Sequence, residues 1–358
     1  MHARFKMINA YGLQLTKEQF CERISSMSQI AGAREFKFTE GKAAGVRAVE
    51  VKTGSGLVFT ILIDRGMDIG EASYCGVPVA WQSKVGVIAP TYFENQGHQW
   101  LRNFFGGLLT TCGLIQVGEP CEDQGEYHGL HGRISHTPAE KYWIEEYWED
   151  NDYVIKVTGK MREAIIYNEN LVLTREIKCL FGQKKIFIKD VVENEGYQES
   201  PFMIMYHVNQ PFPIVSENSR FYSSAKKVVA LRTSEQPDTG NFRSMSEPIA
   251  DYQFETFLHE MPTDRSRVYQ AVINEQLKMG VYLGYDPKTL PVGNQWKMLG
   301  KQDYVVAMEP SNTYNVGISE SRQNGWLPML KPKEKVEMNL EIGVLEGEQE
   351  IKSFKEIL

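Results

Sequence analysis

At 358 residues, with 42% hydrophobic and 11% aromatic side chains, the chain is long enough to bury a large core and lacks the polar bias of a disordered protein. Its formal net charge of −7 is spread over mixed-sign segments, with no basic run longer than pairs such as Lys184-Lys185 or Lys226-Lys227. This argues against nucleic acid and anionic membrane as main partners. No window approaches the roughly eighteen consecutive apolar residues of a membrane span, and Met-His-Ala-Arg-Phe-Lys is not a signal peptide, so a soluble, cytoplasmic protein is expected. Cys21, Cys75, Cys112, Cys121 and Cys179 form no C-x-x-C pair and are expected to be reduced thiols.

In chain order, the first element reads as a helix. Thr16 with Gln19 fits a capping box, and Phe20, Ile24, Met27 and Ile30 follow at helical spacing, giving a helical extension over residues 1–30. Short runs rich in β-branched and aromatic residues then take over. They cover 46–51, 57–63, 108–117, 153–157, 171–180, 185–192, 202–208, 268–273, 279–285, 304–308 and 336–345, punctuated by Thr53-Gly54-Ser55-Gly56, Asn194-Glu195-Gly196 and Asp286-Pro287. Many strands without alternating helices predict a mainly β fold, a large antiparallel sandwich forming one domain over residues 31–358. The less regular stretch near 216–265 reads as a long surface excursion.

Four constellations carry chemistry. Ile63-Asp64-Arg65-Gly66-Met67-Asp68-Ile69 is an acid–base–glycine turn in which Asp64 and Arg65 either bind a ligand oxygen or satisfy one another. Tyr127-His128-Gly129-Leu130-His131-Gly132-Arg133 gathers His128, His131 and Arg133 in a loop that its glycines let approach a ligand. No helix sets the two imidazoles on one face, and no carboxylate or thiolate stands at ligand spacing, so no metal is expected. Strand alternation in Pro-Phe-Met-Ile-Met-Tyr-His-Val-Asn places His207 and Asn209 on one face with Met203 and Met205. In Tyr-Val-Val-Ala-Met-Glu-Pro, Glu309 stands before Pro310, where the strand is expected to stop. One imidazole and one carboxylate at the ends of apolar runs can take a proton from one oxygen and give one to another. Trp81, Trp100, Trp296 and Trp326 are candidate stacking faces for a pyranose.

The ordered set Leu130-His131-Gly132, Asn194-x-Gly196 with Pro201, His207-x-Asn209 and Glu309-Pro310 resembles the galactose mutarotase-like superfamily, which includes the aldose 1-epimerases. The segments 63–69, Phe105-Gly106-Gly107-Leu108-Leu109-Thr110-Thr111-Cys112-Gly113 and 129–140 look like a bacterial subfamily catalogued as a domain of unknown function or as aldose epimerases. The resemblance implies a β-supersandwich whose concave face holds a sugar, with no cofactor. Carried over by position, His207 matches the general acid on the ring oxygen and Glu309 the base on the anomeric hydroxyl. His131 matches the histidine that holds substrate oxygens. The two proton-transfer groups are expected to face each other across a hollow the size of one monosaccharide.

The chain departs from the mutarotases proper in placing Gln210-Pro211-Phe212-Pro213 after the strand histidine, and in its added Arg65 and Arg133. Those arginines suit an anionic sugar, phosphorylated or carboxylated. A sugar-binding protein without turnover, and an isomerase or lyase using the same His/Glu pair, stay open as alternatives.

Overall fold

The computed structural model describes residues 7–233 and 241–358. Three antiparallel sheets carry the fold. The largest has eight strands, running in space from Lys141–Glu149 through Asp152–Ala164, Asn170–Leu180, Lys185–Asn194, Lys335–Glu346, Met279–Tyr285 and Val268–Asn274 to Ser219–Ser223. The second has six strands in the order Thr110–Leu114, Met203–Pro211, Tyr304–Ser311, Val292–Leu299, Glu255–Glu260 and Lys227–Arg232. The third is a five-stranded sheet over residues 32–78. A β-supersandwich is thus the architecture. Strands such as Met203–Pro211 and Tyr304–Ser311 read as near-continuous apolar runs because both of their faces are covered.

The six-stranded sheet has two distinct faces. Tyr206 reaches Asp190 on the eight-stranded sheet, so the even-numbered residues of Met203–Pro211 point between the sheets and Met205, His207 and Asn209 point away. Both faces are buried along the whole strand. The segment from Val79 to Leu109 covers the outer face, bringing in Trp81, Trp100 and Phe104, all buried.

The N-terminal segment differs from expectation. The Thr16–Gln19 capping box forms, but the helix spans only Lys17–Cys21. Ser26 accepts a hydrogen bond from the Ser28 amide and starts a separate short turn at Met27–Gln29, the usual competition of serine with helix. Before it, Ile8–Ala10 and Leu13–Leu15 form a hairpin through Tyr11 and Gly12, both at positive φ. Residues 1–6 of the expected helical extension lie outside the described residues. The remainder is no separate appendage: Ile8, Ala10, Phe20 and Ala31 belong to the main core, and Phe20 meets Phe181 edge-on at 5.0 Å.

Two further differences concern the site. The stretch 216–265 contributes Ser219–Ser223, Lys227–Arg232 and Glu255–Glu260, all paired into the two main sheets. Charged and polar inward residues hid them: Glu255 and His259 are fully buried. Pro310 does not end its strand, which runs Tyr304–Ser311. On one side Glu309 and Pro310 stay paired with Asn294 and Gly293. On the other the ladder jumps from Met205↔Ser311 to Val208↔Met308, because proline has no amide to donate. The break lies at His207 and Glu309. Among the described residues no helix is long and apolar enough to cross a membrane.

Gly107 fixes how closely the covering segment approaches the five-stranded sheet at Ile69. At φ +74°, a Cβ there would lie 2.4 Å from the Phe105 ring and 2.5 Å from the Ile69 carbonyl oxygen. We expect Gly107→Ala to cost about 2 kcal/mol or more, from the left-handed backbone and the clash together. Urea unfolding reads this as a lower midpoint; an unchanged midpoint would contradict the close approach.

Candidate active site

His207 and Glu309 occupy neighbouring strands at the ladder break, and their side chains emerge on the same outer face. The flanking register sets the two residues opposite one another. His207 Nε2 lies 3.0 Å from Glu309 Oε1, with the side chains 7% and 4% exposed. They stand side by side in contact, whereas the sequence reading has them facing across a sugar-sized hollow; adjacency of the two strands is the reason. The approach is not aligned as a hydrogen bond, and Glu309 Oε1 and His207 Nδ1 are both buried without a hydrogen-bond partner. Two groups able to exchange protons are therefore held together with unsatisfied capacity, which is costly unless something else uses it.

Aromatic rings enclose the pair. Phe104 and Trp296 meet the His207 ring edge-on at 5.2 and 5.5 Å. Trp81 touches both Phe104 and Trp296, and Trp100 stacks on Phe104 at 4.6 Å and reaches the His131 ring at 4.9 Å. Three of the four tryptophans named from sequence thus gather here. Trp326 instead packs on Tyr314. Asn294, on the strand beside Glu309, is buried in the same face and donates to the Glu309 carbonyl at 3.2 Å. Sequence reasoning passed over Asn294 and Phe104, since neither stands out without its cross-strand neighbours.

His131 is clamped in place. It sits at φ +57°, an uncommon conformation for a non-glycine residue. Its amide donates to Gly118 O, its carbonyl accepts from Gly113 N, and its ring Nδ1 accepts from Gly118 N at 3.2 Å. Gly118 has no room for a side chain, because a Cβ would lie 2.6 Å from Gly317 N. With Nδ1 accepting, a neutral imidazole must carry its proton on Nε2. Burial, with His207 and His98 nearby, pushes the His131 ring down to about 3. It is a fixed hydrogen-bond donor at neutral pH, unsuited to shuttling protons.

The other residues singled out from sequence have different work. Arg65 is fully buried and donates to the carbonyls of Ser135, Ile88 and Asn103 at 2.7–2.9 Å. Burial lowers it to about 10, so it stays charged at neutral pH, and each of its three nitrogens is engaged in holding three loops together. Asp64 accepts from the Arg47 guanidinium and amide. Asn209 donates to the carbonyls of Gly106, Gly107 and His207, locking the covering segment to the sheet. His128 lies apart from His207, among Glu126, Asp123, Arg133 and Arg322, and burial lowers its ring. Arg133 is exposed and sits beside Glu163 and Glu169. Among the described residues neither arginine makes a hydrogen bond or ion pair with His207 or Glu309. Among the described residues no group of three His, Cys, Asp or Glu side chains is placed to hold a metal ion.

A hollow lies elsewhere. A recess of ≈ 380 Å³ on the five-stranded sheet is lined by Glu50, Val58, Thr60, Glu71, Ser73 and Gln82 among others. It contains no histidine, and its carboxylates are solvated or paired to Arg34 and Lys52. The contact of an imidazole with a carboxylate is found at His207 and Glu309, not in this recess.

The model of a family described as a domain of unknown function, DUF4432, matches residues 43–344. The chain belongs to this family. As a DUF4432 member it resembles the crystal structure of a provisionally named aldose 1-epimerase from Klebsiella pneumoniae subsp. pneumoniae, with a TM-score of 0.85 and 21% identity over 98% of this chain and 94% of that one. A galactose mutarotase-like protein from Clostridium acetobutylicum superposes with a TM-score of 0.59 at 12% identity over 89% and 99% of the two chains. Galactose 1-epimerase from Lactobacillus acidophilus gives 0.56 at 12% identity over 89% and 100%. At these identities the likeness shows the galactose mutarotase-like fold. No curated protein matches the DUF4432 chain.

The His131 clamp makes a spectroscopic prediction. Its ring resonances should show the Nε2–H tautomer and no titration between about pH 5 and pH 8, the range in which an ordinary histidine changes charge. Proton uptake by His131 within that range, followed by NMR, would contradict a buried neutral donor.

Proposed function

We propose that this protein is an aldose 1-epimerase-type enzyme that interconverts sugar anomers by opening and reclosing the ring. The observation that carries the reading is the buried contact between the His207 imidazole and the Glu309 carboxylate. In a cyclic aldose the ring oxygen and the anomeric hydroxyl are bound to the same carbon, so the acid and base that serve them must stand close together on one side. A neighbouring pair that parts to admit the two oxygens of a sugar meets that need; widely separated groups would not.

In the proposed reaction Glu309 takes the proton of the anomeric hydroxyl while His207 gives a proton to the ring oxygen. The bond between the anomeric carbon and the ring oxygen breaks, its electron pair passes to that oxygen, and a free aldehyde forms. Rotation about the neighbouring carbon–carbon bond presents the other aldehyde face. Reclosure returns each proton in the reverse direction and yields the opposite anomer. Protons and electrons balance over the cycle, so no cofactor is required.

His131, through Nε2–H, supplies a donor for a substrate hydroxyl, and Trp296 and Phe104 offer apolar ring faces for sugar CH groups. The placement of Arg65 and Arg133 removes the support for an anionic substrate. A neutral aldose is the substrate class we propose, acted on in the cytoplasm.

Glu309→Gln should slow anomer exchange by about 10²–10⁴-fold, the usual worth of one positioned proton-transfer group. Sugar binding should persist. Polarimetry or NMR exchange on freshly dissolved sugar reads the rate. Turnover near the normal rate in the Glu309→Gln variant would remove the base assignment, and wild-type protein that binds sugar without exchange would make it a binding protein.

A further inference from the structure

Behind the sheet that bears His207 lies a charged network that the proposed reaction does not use. Asp68, Arg175 and Asp190 are completely buried. Arg175 Nη1 is 2.8 Å from Asp68 Oδ1, and Arg175 Nη2 is 2.7 Å from Asp190 Oδ2. Arg175 also donates to the Thr111 hydroxyl at 2.9 Å and to Gly66 O. Asp68 accepts from both the amide and the hydroxyl of Thr111. The Tyr206 hydroxyl donates to Asp190 Oδ2 at 2.8 Å. Burial opposes the charge on Arg175, but Asp190 and Asp68 outweigh that and raise it above its ordinary value.

The network converges on one place. Tyr206 immediately precedes His207, and Thr111 pairs with Tyr206 just as Thr110 pairs with His207. The two residues that the buried charges grip are thus the backbone neighbours of His207, on its own strand and on the next. His207 needs such support from behind. Its Nδ1 has no hydrogen-bond partner, so nothing in the ring plane fixes the imidazole the way a carbonyl or carboxylate on the second nitrogen usually does. Its surroundings on the outer face are Glu309 and the ring edges of Phe104 and Trp296.

A buried ion network of this kind is weak as a source of stability, because apolar residues of equal volume often serve as well or better. Its worth lies in a defined geometry. We infer that Tyr206 and Thr111, held by Asp68, Arg175 and Asp190, are positioning residues that set the location of the His207 imidazole against Glu309. As a statement about the reaction this rests on the function proposed above; as a statement about where His207 stands it does not. It also gives the Ile63–Ile69 motif a purpose through Asp68, its last acidic residue.

Tyr206→Phe removes one hydroxyl and leaves the ring in place. We expect kcat for anomer exchange to fall about 10-fold with KM within about twofold, since a small displacement of a reacting group lowers the rate more than the affinity. The ¹⁵N resonances of the His207 ring should shift at constant pH. Thr111→Val should show the same signature and Thr111→Ser should restore it, which a general loss of stability would not do. Unchanged kcat and unmoved His207 resonances in both Tyr206→Phe and Thr111→Val would overturn the inference. If the wild-type protein shows no anomer exchange, the proposed reaction fails, yet the resonances still decide: shifted signals support the positioning role and unshifted ones end it.

Discussion

Removing an imidazole and a carboxylate from water is costly unless each finds a partner, and in this protein each finds the other. The His207–Glu309 contact holds two proton-transfer groups almost wholly buried among aromatic rings, with hydrogen-bonding capacity on both still open. Several features of the fold serve that contact. Met203–Pro211 and Tyr304–Ser311 must be adjacent and in the observed register, and Pro310 must open the ladder between them at the point where the two side chains emerge. The covering segment must then bring Trp100 and Phe104 over the face, and the two bonds that Asn209 donates to Gly106 and Gly107 tie it there.

The same logic separates site from scaffold. Arg65 on its three carbonyls and Asp64 on Arg47 have a structural assignment. His207 Nδ1 and Glu309 Oε1 keep open capacity, as other buried atoms such as Asn209 Oδ1 do, and what sets these two residues apart is the imidazole–carboxylate contact they share. His131 falls between the two: one ring nitrogen is committed to Gly118, which leaves the other protonated and available. Polar residues close in sequence therefore separate in surroundings, with His131 near His207 and against Trp100 while His128 and Arg133 lie among Glu126, Asp123 and Glu163.

Much of this was legible in the sequence, and the limits have physical causes. Period-two alternation and β-branched runs located the apolar strands, and the face shared by Met205, His207 and Asn209 followed from the pleat. Strands with inward charges, such as Glu255–Glu260 with its buried Glu255 and His259, carry no such pattern and read as loop. Arg65 looked like a ligand-binding residue because its acceptors, at residues 88, 103 and 135, are backbone carbonyls that leave no trace in side-chain identity. Asn209 shares its face with His207, as alternation requires, but the amide turns to Gly106 and Gly107. The contact distance between His207 and Glu309 depends on strand order, which no local pattern encodes.

A crystal structure with a bound neutral aldose shows whether a sugar takes the place of the imidazole–carboxylate contact, as the proposed reaction requires. We expect a widened Nε2–Oε1 separation, the ring oxygen within hydrogen-bond reach of His207, and the anomeric hydroxyl at Glu309. A sugar seated on the five-stranded sheet beside Glu50 and Glu71, with the His207–Glu309 contact intact, would contradict it.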